Sequence, residues 1–278
     1  MRKINLSDYS HSLVQKEGIW HATSASEISY PEEGNSICYQ IEEHSFWFKH
    51  RNNCILEAVK KFHTQDVFFD IGGGNGFVAK NLEANQIPTV LIEPGFTGCK
   101  NAHKRGLQHV VCSTLEDAQF IKESIAAIGL FDVVEHIEKD QAFLQAIHAY
   151  LKPNGKVFIT VPAFQFLWSN EDADAGHYRR YNIAQISEKL VDAGFKVKYA
   201  TYIFSILPIA VFLFRSLPSK LGLNKNSNDV AKHKHEHQEK PGLVSNILNR
   251  IWQFEVKQIK AGKRISMGGS CFIVAEKI

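Results

Sequence analysis

Four glycines fall within the five residues Gly72-Gly73-Gly74-Asn75-Gly76, directly after the apolar run Asp66–Ile71 and directly before a helical stretch, Phe77–Asn85. Backbone can pass close to a ligand only where side chains are missing, so this segment fixes the local path and offers main-chain amides to whatever lies above it. Around it, short apolar runs alternate with helical stretches. Strands are expected at 66–71, 89–92, 109–112, 125–130, 156–161, 196–202 and 271–275. Helices are expected near 41–62, 77–85, 100–105, 138–151 and 183–193. Such alternation builds β-α-β units on a parallel sheet.

Composition narrows the class. With 278 residues, 44% of them hydrophobic and 22% charged, the chain has room for one large domain and suits neither a fibre nor a disordered polymer. A net charge of +3 does not argue for nucleic acid. Cys38, Cys54, Cys99, Cys112 and Cys271 are scattered and form no CxxC pair, which excludes a disulfide framework and fits a reducing cytosol. The first fifteen residues hold no apolar core of signal-peptide length, so a cytoplasmic location is expected.

Three readings of the glycine loop compete. A P-loop needs Gly-Lys-Ser/Thr after its spacer, and none is present. A dinucleotide fingerprint starting at Gly72 needs Gly or another small residue where Phe77 stands, and Asp70 would repel a pyrophosphate. The pattern Asp-x-Gly-x-Gly-x-Gly is met at every position from Asp70 to Gly76. That segment resembles the first motif of class I S-adenosylmethionine-dependent methyltransferases, whose cofactor carries an ammonium and a sulfonium and no phosphate.

Further landmarks extend the resemblance over about 66–200. Glu93, at the end of the second strand, stands where the family chelates the ribose hydroxyls. Ser113, Thr114 and Leu115 stand where it meets the adenine edge, although many relatives carry Asp at the position of Ser113. Phe131-Asp132-Val133-Val134-Glu135-His136 resembles the family's D-V-x-E-H segment. Leu151-Lys152-Pro153-Asn154-Gly155-Lys156 is similar to its entry into strand five. The resemblance implies a three-layer α/β Rossmann-like fold with a mostly parallel seven-stranded sheet, ordered 3-2-1-4-5-7-6, under an N-terminal helical cap. It implies S-adenosylmethionine as cofactor, held by Asp70, Gly72, Gly73, Gly74, Gly76, Glu93, Ser113, Thr114, Leu115, Phe131 and Asp132. The expected divisions are a cap at 1–62, a cofactor-binding core at 63–202, a helical insertion with a basic loop at 203–262, and a last strand within 263–278.

Acceptor chemistry is expected outside the carboxyl ends of the strands. His177, with Glu135 and His136, is expected to serve acid–base catalysis. Trp168, Tyr178, Arg179, Arg180 and Tyr181 are expected to bind acceptor, the arginines as an anion clamp. The competing reading is that Arg179 or Arg180 pairs with Asp172 or Asp174 and pins the loop. The segment Gly-His-x-Arg-Arg-Tyr and the run His44–Arg51 also resemble a bacterial subgroup tied to glycan and lipid-linked pathways, which implies a small-molecule, saccharide or lipid-linked acceptor and O-methylation. An RNA methyltransferase, a nicotinamide oxidoreductase and a non-catalytic cofactor-binding module are the alternatives. No metal is expected, since lysines interleave His233, His235 and His237. The uncharged run Tyr202–Phe214 is too short to span a bilayer. It either packs as a buried helix or, with ten Lys/Arg against four Asp/Glu across 220–264, lets 202–222 rest peripherally on the inner membrane surface.

Overall fold

Phe68 and Phe69 are neighbours in sequence and both fully buried, which requires a sheet covered on both faces. The computed structural model describes residues 4–23, 38–63, 66–222 and 243–278 and contains that sheet. In chain order the strands are β1 (Leu13–Lys16), β2 (Ile19–Ala22), β3 (Phe68–Ile71), β4 (Thr89–Glu93), β5 (Val110–Cys112), β6 (Ile125–Phe131), β7 (Leu151–Pro162), β8 (Phe195–Ile203) and β9 (Ser270–Lys277). The helices are α1 (Phe46–Phe62), α2 (Phe77–Ala84), α3 (Phe96–Lys104), α4 (Asp140–Tyr150), α5 (Asn170–Asp174), α6 (Ile183–Asp192), α7 (Leu207–Val211), α8 (Leu217–Lys220) and α9 (Leu243–Ala261).

The sheet runs β1-β2-β5-β4-β3-β6-β7-β9-β8. Its last seven members, from β5 to β8, keep the order that the family resemblance implies. The strands β5-β4-β3-β6-β7 are parallel, and β9 is antiparallel to both β7 and β8. On one face Phe69, Ile71, Ile128 and Leu130 meet Leu144 and Ile147 of α4 and Ile186 and Leu190 of α6. On the other, Phe68, Phe158, Phe272 and Val274 meet Ile55 and Val59 of α1 and Trp252 and Ile259 of α9.

Two expectations need correction. Among the described residues the sheet has nine strands rather than seven, because the N-terminal segment is not purely helical: β1 and β2 form a hairpin, and β2 pairs in parallel with β5 at Trp20–Val111. The turn Glu17-Gly18 has positive φ at both residues, 50° and 81°, the geometry that joins two strands most tightly. Its strands are half exposed and carry no apolar alternation, so the pattern was silent. The turn Pro153-Asn154-Gly155 does not precede the fifth strand but lies within β7, as an irregularity between the pairs Ile125–Leu151 and Ala127–Lys156.

The segment after β8 is not a core helix. Ile209 is 64% exposed, Phe214 77% and Leu221 62%, on α7, the π-turn Phe212–Ser216 that follows it, and the residues after α8. Among the described residues, no helix is long and apolar enough to cross a membrane. The turn expected at 31–36 and the basic loop at 223–242 lie outside the described residues.

Helix α1 begins where the Ser45 hydroxyl accepts from the amides of Trp47 and Phe48, satisfying donors that the first turn leaves open. It is fastened to α9 by the buried pair His50 Nε2–Glu255 Oε2 at 2.8 Å. Glu255 also accepts from the Phe204 and Ser205 amides where β8 ends. Burial alone would raise this carboxyl, but the bonds from His50 and Ser205 hold it below its ordinary 4.5. A depressed carboxyl adds stability that is present in full above that ordinary value and is lost as pH falls through the lower folded one. Glu255→Ala should therefore cost about 3–5 kcal/mol in urea unfolding at neutral pH. The gap from wild type should narrow in acid, and a gap unchanged by pH would contradict the ion pair.

Candidate functional site

A cavity of about 680 Å³ opens at the carboxyl ends of β3, β4 and β6, where α1 crosses above them. Its floor is Asp70, Ile71, Gly72, Gly73 and Gly74. A Cβ on Gly73 would overlap Leu91 Cδ1 and come within 2.7 Å of Asp70 Oδ2. At Gly72 φ is +68°, and a Cβ would lie 2.8 Å from Val133 Cγ2. The loop can thus cross close under the cavity only with glycine at both positions. Gly76 serves differently: it does not line the cavity, and a Cβ there would strike Leu107 and Ala102, so its role is the packing of α2 against α3.

Asp70 is 1% exposed and neither carboxyl oxygen has a hydrogen-bond partner among the described residues. Burial pushes its pKa up to about 7, partly opposed by the charge of Arg51. An orphaned carboxyl against a cavity is the group a cation would satisfy. Across the floor, Glu93 Oε2 accepts from the Gly74 amide at 2.9 Å and Oε1 from the Gly95 amide at 2.8 Å. Both oxygens are oriented and retain acceptor capacity for a pair of hydroxyls. Ser113, Thr114, Leu115 and Phe131 complete one wall. These residues fit S-adenosylmethionine: a cationic end over Asp70, a ribose at Glu93, and a base toward 113–115.

Asp132 has φ +58°, accepts from Thr160 Oγ1 at 3.0 Å, and takes a hydrogen bond from the Arg51 guanidinium. Arg51 also stacks over Trp47, 4.8 Å from guanidinium carbon to ring centroid. Sequence reasoning did not assign Arg51, Trp47 or Phe48 a place at the site. The signal was the segment His44–Arg51, which puts two aromatic rings and a guanidinium on neighbouring turns of one helix. Farther along, Glu42 is clamped by Arg105 at 2.8 Å and by Asn75 Nδ2 at 3.1 Å, drawing the segment before α1 onto the cofactor loop.

His136 and His177 line the same cavity, their ring centroids 4.7 Å apart. The turn Val134–His136 and the loop after α5 meet because the Tyr178 amide donates to the Glu135 carbonyl. Glu135 lies beneath them, 1% exposed, both carboxyl oxygens without a hydrogen-bond partner among the described residues. Burial, reinforced by Asp132, pushes its pKa well up. Burial and the neighbouring His177 lower His136 to about 4, so its ring is neutral at pH 7.

The expected acceptor clamp does not line the cavity. Arg180 Nε donates to Asp172 at 2.8 Å and Arg179 pairs with Asp140 at 2.8 Å. Tyr181 is 2% exposed and donates to Asp140. Tyr178 is exposed, and Trp168 lies away from the cavity. The ion-pair reading of the loop is the one the structure shows, because two buried carboxylates, Asp140 and Asp172, need those donors.

Residues 48–200, more than half of the chain, match the family described as "Methyltransferase domain". The chain is 32% identical over 100 residues to the mouse mitochondrial ubiquinone biosynthesis O-methyltransferase and 31% to its human counterpart, each match covering 33% of this chain. The matched segment spans only 27% of each of those proteins. Among solved structures, a Haemonchus contortus phosphoethanolamine N-methyltransferase 2 with S-adenosylhomocysteine is similar at TM-score 0.56 and 18% identity, over 88% of this chain and 57% of that one. A Thermotoga maritima S-adenosylmethionine-dependent methyltransferase, described as a possible histamine N-methyltransferase, gives 0.53 and 19% over 87% and 99%. At these identities the likeness is one of fold.

Two outcomes are expected from the Asp70 environment. Replacing it by Asn should weaken adenosylhomocysteine binding by about tenfold or more in calorimetry, a charge-assisted contact being lost. In wild type, affinity should rise about tenfold from pH 6 to pH 8, because a cation binds the ionised carboxyl and that form fills in as pH passes about 7. A flat profile would remove Asp70 from the cation's contact.

Proposed function

The chain belongs to the methyltransferase-domain family and takes S-adenosylmethionine as cofactor, and on that premise we propose that it methylates a hydroxyl oxygen of a small-molecule, saccharide or lipid-linked acceptor. The observation that carries this reading is the Glu135–His136–His177 group, which meets the same cavity as the cofactor floor. The cofactor supplies an electrophilic methyl on a sulfonium. A hydroxyl is a weak nucleophile until it is aligned and its proton drawn away. Neutral His136 and the His177 ring offer lone pairs for that. Asp172 Oδ1 holds His177 Nδ1 at 2.9 Å and so fixes the orientation of the ring.

The rest of the wall is suited to an apolar acceptor body. Phe48, Trp47, Ile137, Ala142, Phe143 and Ala146 line it. Helix α1, whose Arg51 reaches Asp132, contributes Trp47 and Phe48 to that wall. The O-methyltransferase identity of the curated relatives supports oxygen as the accepting atom.

A lipid-linked acceptor also suits the outer surface. Ile209, Leu213, Phe214 and Leu221 are exposed together on one segment, and Phe166, 49% exposed, lies beside it, its ring 6.2 Å from that of Phe212. Arg215 and Lys220 stand within the same segment, an apolar face with basic flanks of the kind that seats on anionic lipid.

Released adenosylhomocysteine should accumulate with hydroxylated acceptors and not with their amino counterparts; turnover of amines alone would overturn oxygen as the acceptor. His177→Ala should slow turnover by about a hundredfold while leaving cofactor affinity nearly unchanged. Phe214→Asp should weaken sedimentation with anionic vesicles by about tenfold, with no loss of folding since that ring is 77% exposed. Equal sedimentation would dismiss the membrane contact.

A further inference from the structure

We propose that Cys99 and Cys112 are a peroxide-sensitive thiol pair, and that the reversible disulfide between them weakens binding of the cofactor beside it. Cys99 lies on α3 and is fully buried, whereas Cys112 ends β5 and is half-buried. Cys112 packs against the small apolar cluster that encloses Cys99, and the two thiols are in hydrogen-bonding contact. They meet because Cys112 stands in register with Glu93 at the end of β4, and α3 begins three residues after Glu93. The coupling to the cofactor rests on the cofactor reading above; the thiol pair itself does not.

Both thiols are bonded into the backbone of the cofactor floor. Cys99 donates to the Glu93 carbonyl at 3.0 Å, and Cys112 donates to the Pro94 carbonyl at 3.8 Å. The Glu93 carbonyl also accepts from the Ser113 amide at 3.2 Å. Glu93, Pro94 and Ser113 all line the cavity. The sulfurs of a disulfide stand only about 2.0 Å apart. Forming one removes both S–H donors and draws the end of β5 toward α3. The ribose acid and the wall at 113–115 then shift together.

Exposure divides the chemistry between the two sulfurs. Cys112 meets hydrogen peroxide first: its sulfur bonds to one peroxide oxygen, the O–O bond breaks, and a sulfenic acid forms. The thiol proton leaves with the departing hydroxide as water. Cys99 then attacks the Cys112 sulfur, the S–O bond breaks, and that hydroxide leaves with the Cys99 proton as a second water. The two sulfurs lose two electrons and the peroxide gains them; a dithiol reductant reverses the change. On its own Cys99 is inert, because contact with Cys112 and, after it, burial raise its pKa. Oxidation of Cys112 relieves the first of these and sets an electrophilic sulfur against Cys99.

The reduced full-length chain is to be treated with equimolar hydrogen peroxide, blocked by alkylation and digested with trypsin without reductant. Peptides carrying Cys99 and Cys112 should be recovered joined, in wild type and in Cys38→Ser, and dithiothreitol should release them. In calorimetry the linked protein should bind adenosylhomocysteine about tenfold more weakly than the reduced one, and reduction should restore the affinity. By reciprocity, saturating adenosylhomocysteine should favour the dithiol by the same factor and raise the reduction potential of the pair by about 30 mV. Cys99→Ser and Cys112→Ser should bind as reduced wild type does, which shows that they fold, and their affinity should not change with peroxide. The peptides and both affinities are read on wild type, so the decision does not hang on the variants. Recovery of Cys99 and Cys112 alkylated after peroxide would overturn the pair, as would Cys112 joined to Cys38 or to a second chain. A Cys99–Cys112 disulfide with adenosylhomocysteine affinity unchanged would overturn the coupling to the cofactor.

Discussion

At the carboxyl end of the central strand the chain keeps a carboxyl buried with no hydrogen-bond partner among the described residues, and much of the structure is arranged around that cost. Asp70 faces a cavity rather than a core side chain, because Gly72 and Gly73 carry the backbone across where any Cβ would collide. The strand that ends in it must be central, flanked by β4 and β6, for both the second acid, Glu93, and the Phe131-Asp132 end of β6 to reach the same space. The parallel order of these three strands is therefore as much a condition of the site as of the core.

Closure comes from charge pairs that the N-terminal segment makes with the sheet. Arg51 reaches Asp132, and Glu42 is held by Arg105 and Asn75, so two points of the segment leading into and along α1 are tied to the loops beneath it. All four charged groups are at least three-quarters buried, where such pairs are directional and costly to break singly. Through His50 and Glu255, α1 is fastened to α9 as well. The segment leading into α1, the loops beneath it and α9 consequently share one set of contacts, and the first two of these line the cavity.

How much of this the sequence disclosed depended on how local each signal was. Asp70, Gly72, Gly73, Gly74 and Glu93 could be placed because a strand–loop–helix is read from contiguous residues and the next strand end follows from it. Gly76 fits the same spacing yet packs against α3, since a motif gives no indication of which face a glycine turns. The hairpin β1–β2 was missed because edge strands with one exposed side lack alternation. Arg51 belongs to an element that crosses the site from outside the motif, and its pairing with Asp132, 81 positions away, is set only by tertiary packing. The loop arginines illustrate the same limit in reverse: His177, Arg179 and Arg180 crowd together in sequence but divide in space, the histidine toward the cavity and the arginines toward buried carboxylates.

That division constrains what the acceptor can be. Asp172 is buried and receives His177, Arg180 and the Ser169 amide, and although burial alone would raise its carboxyl, these bonds hold it below the ordinary range. Were Arg180 to turn toward an acceptor phosphate or carboxylate, Asp172 would be left charged and short of a donor at 2% exposure, a penalty that an exposed anion contact does not return. Arg179 is bound to Asp140 under the same logic, with Lys189 and Tyr181 completing that set. The arginines thus hold the loop so that His177 keeps its place beside His136. On the proposed reading, an acceptor would be selected near the reacting atoms by apolar contact and by Glu135, His136 and His177, and any anionic portion it carries would belong outside this part of the cavity.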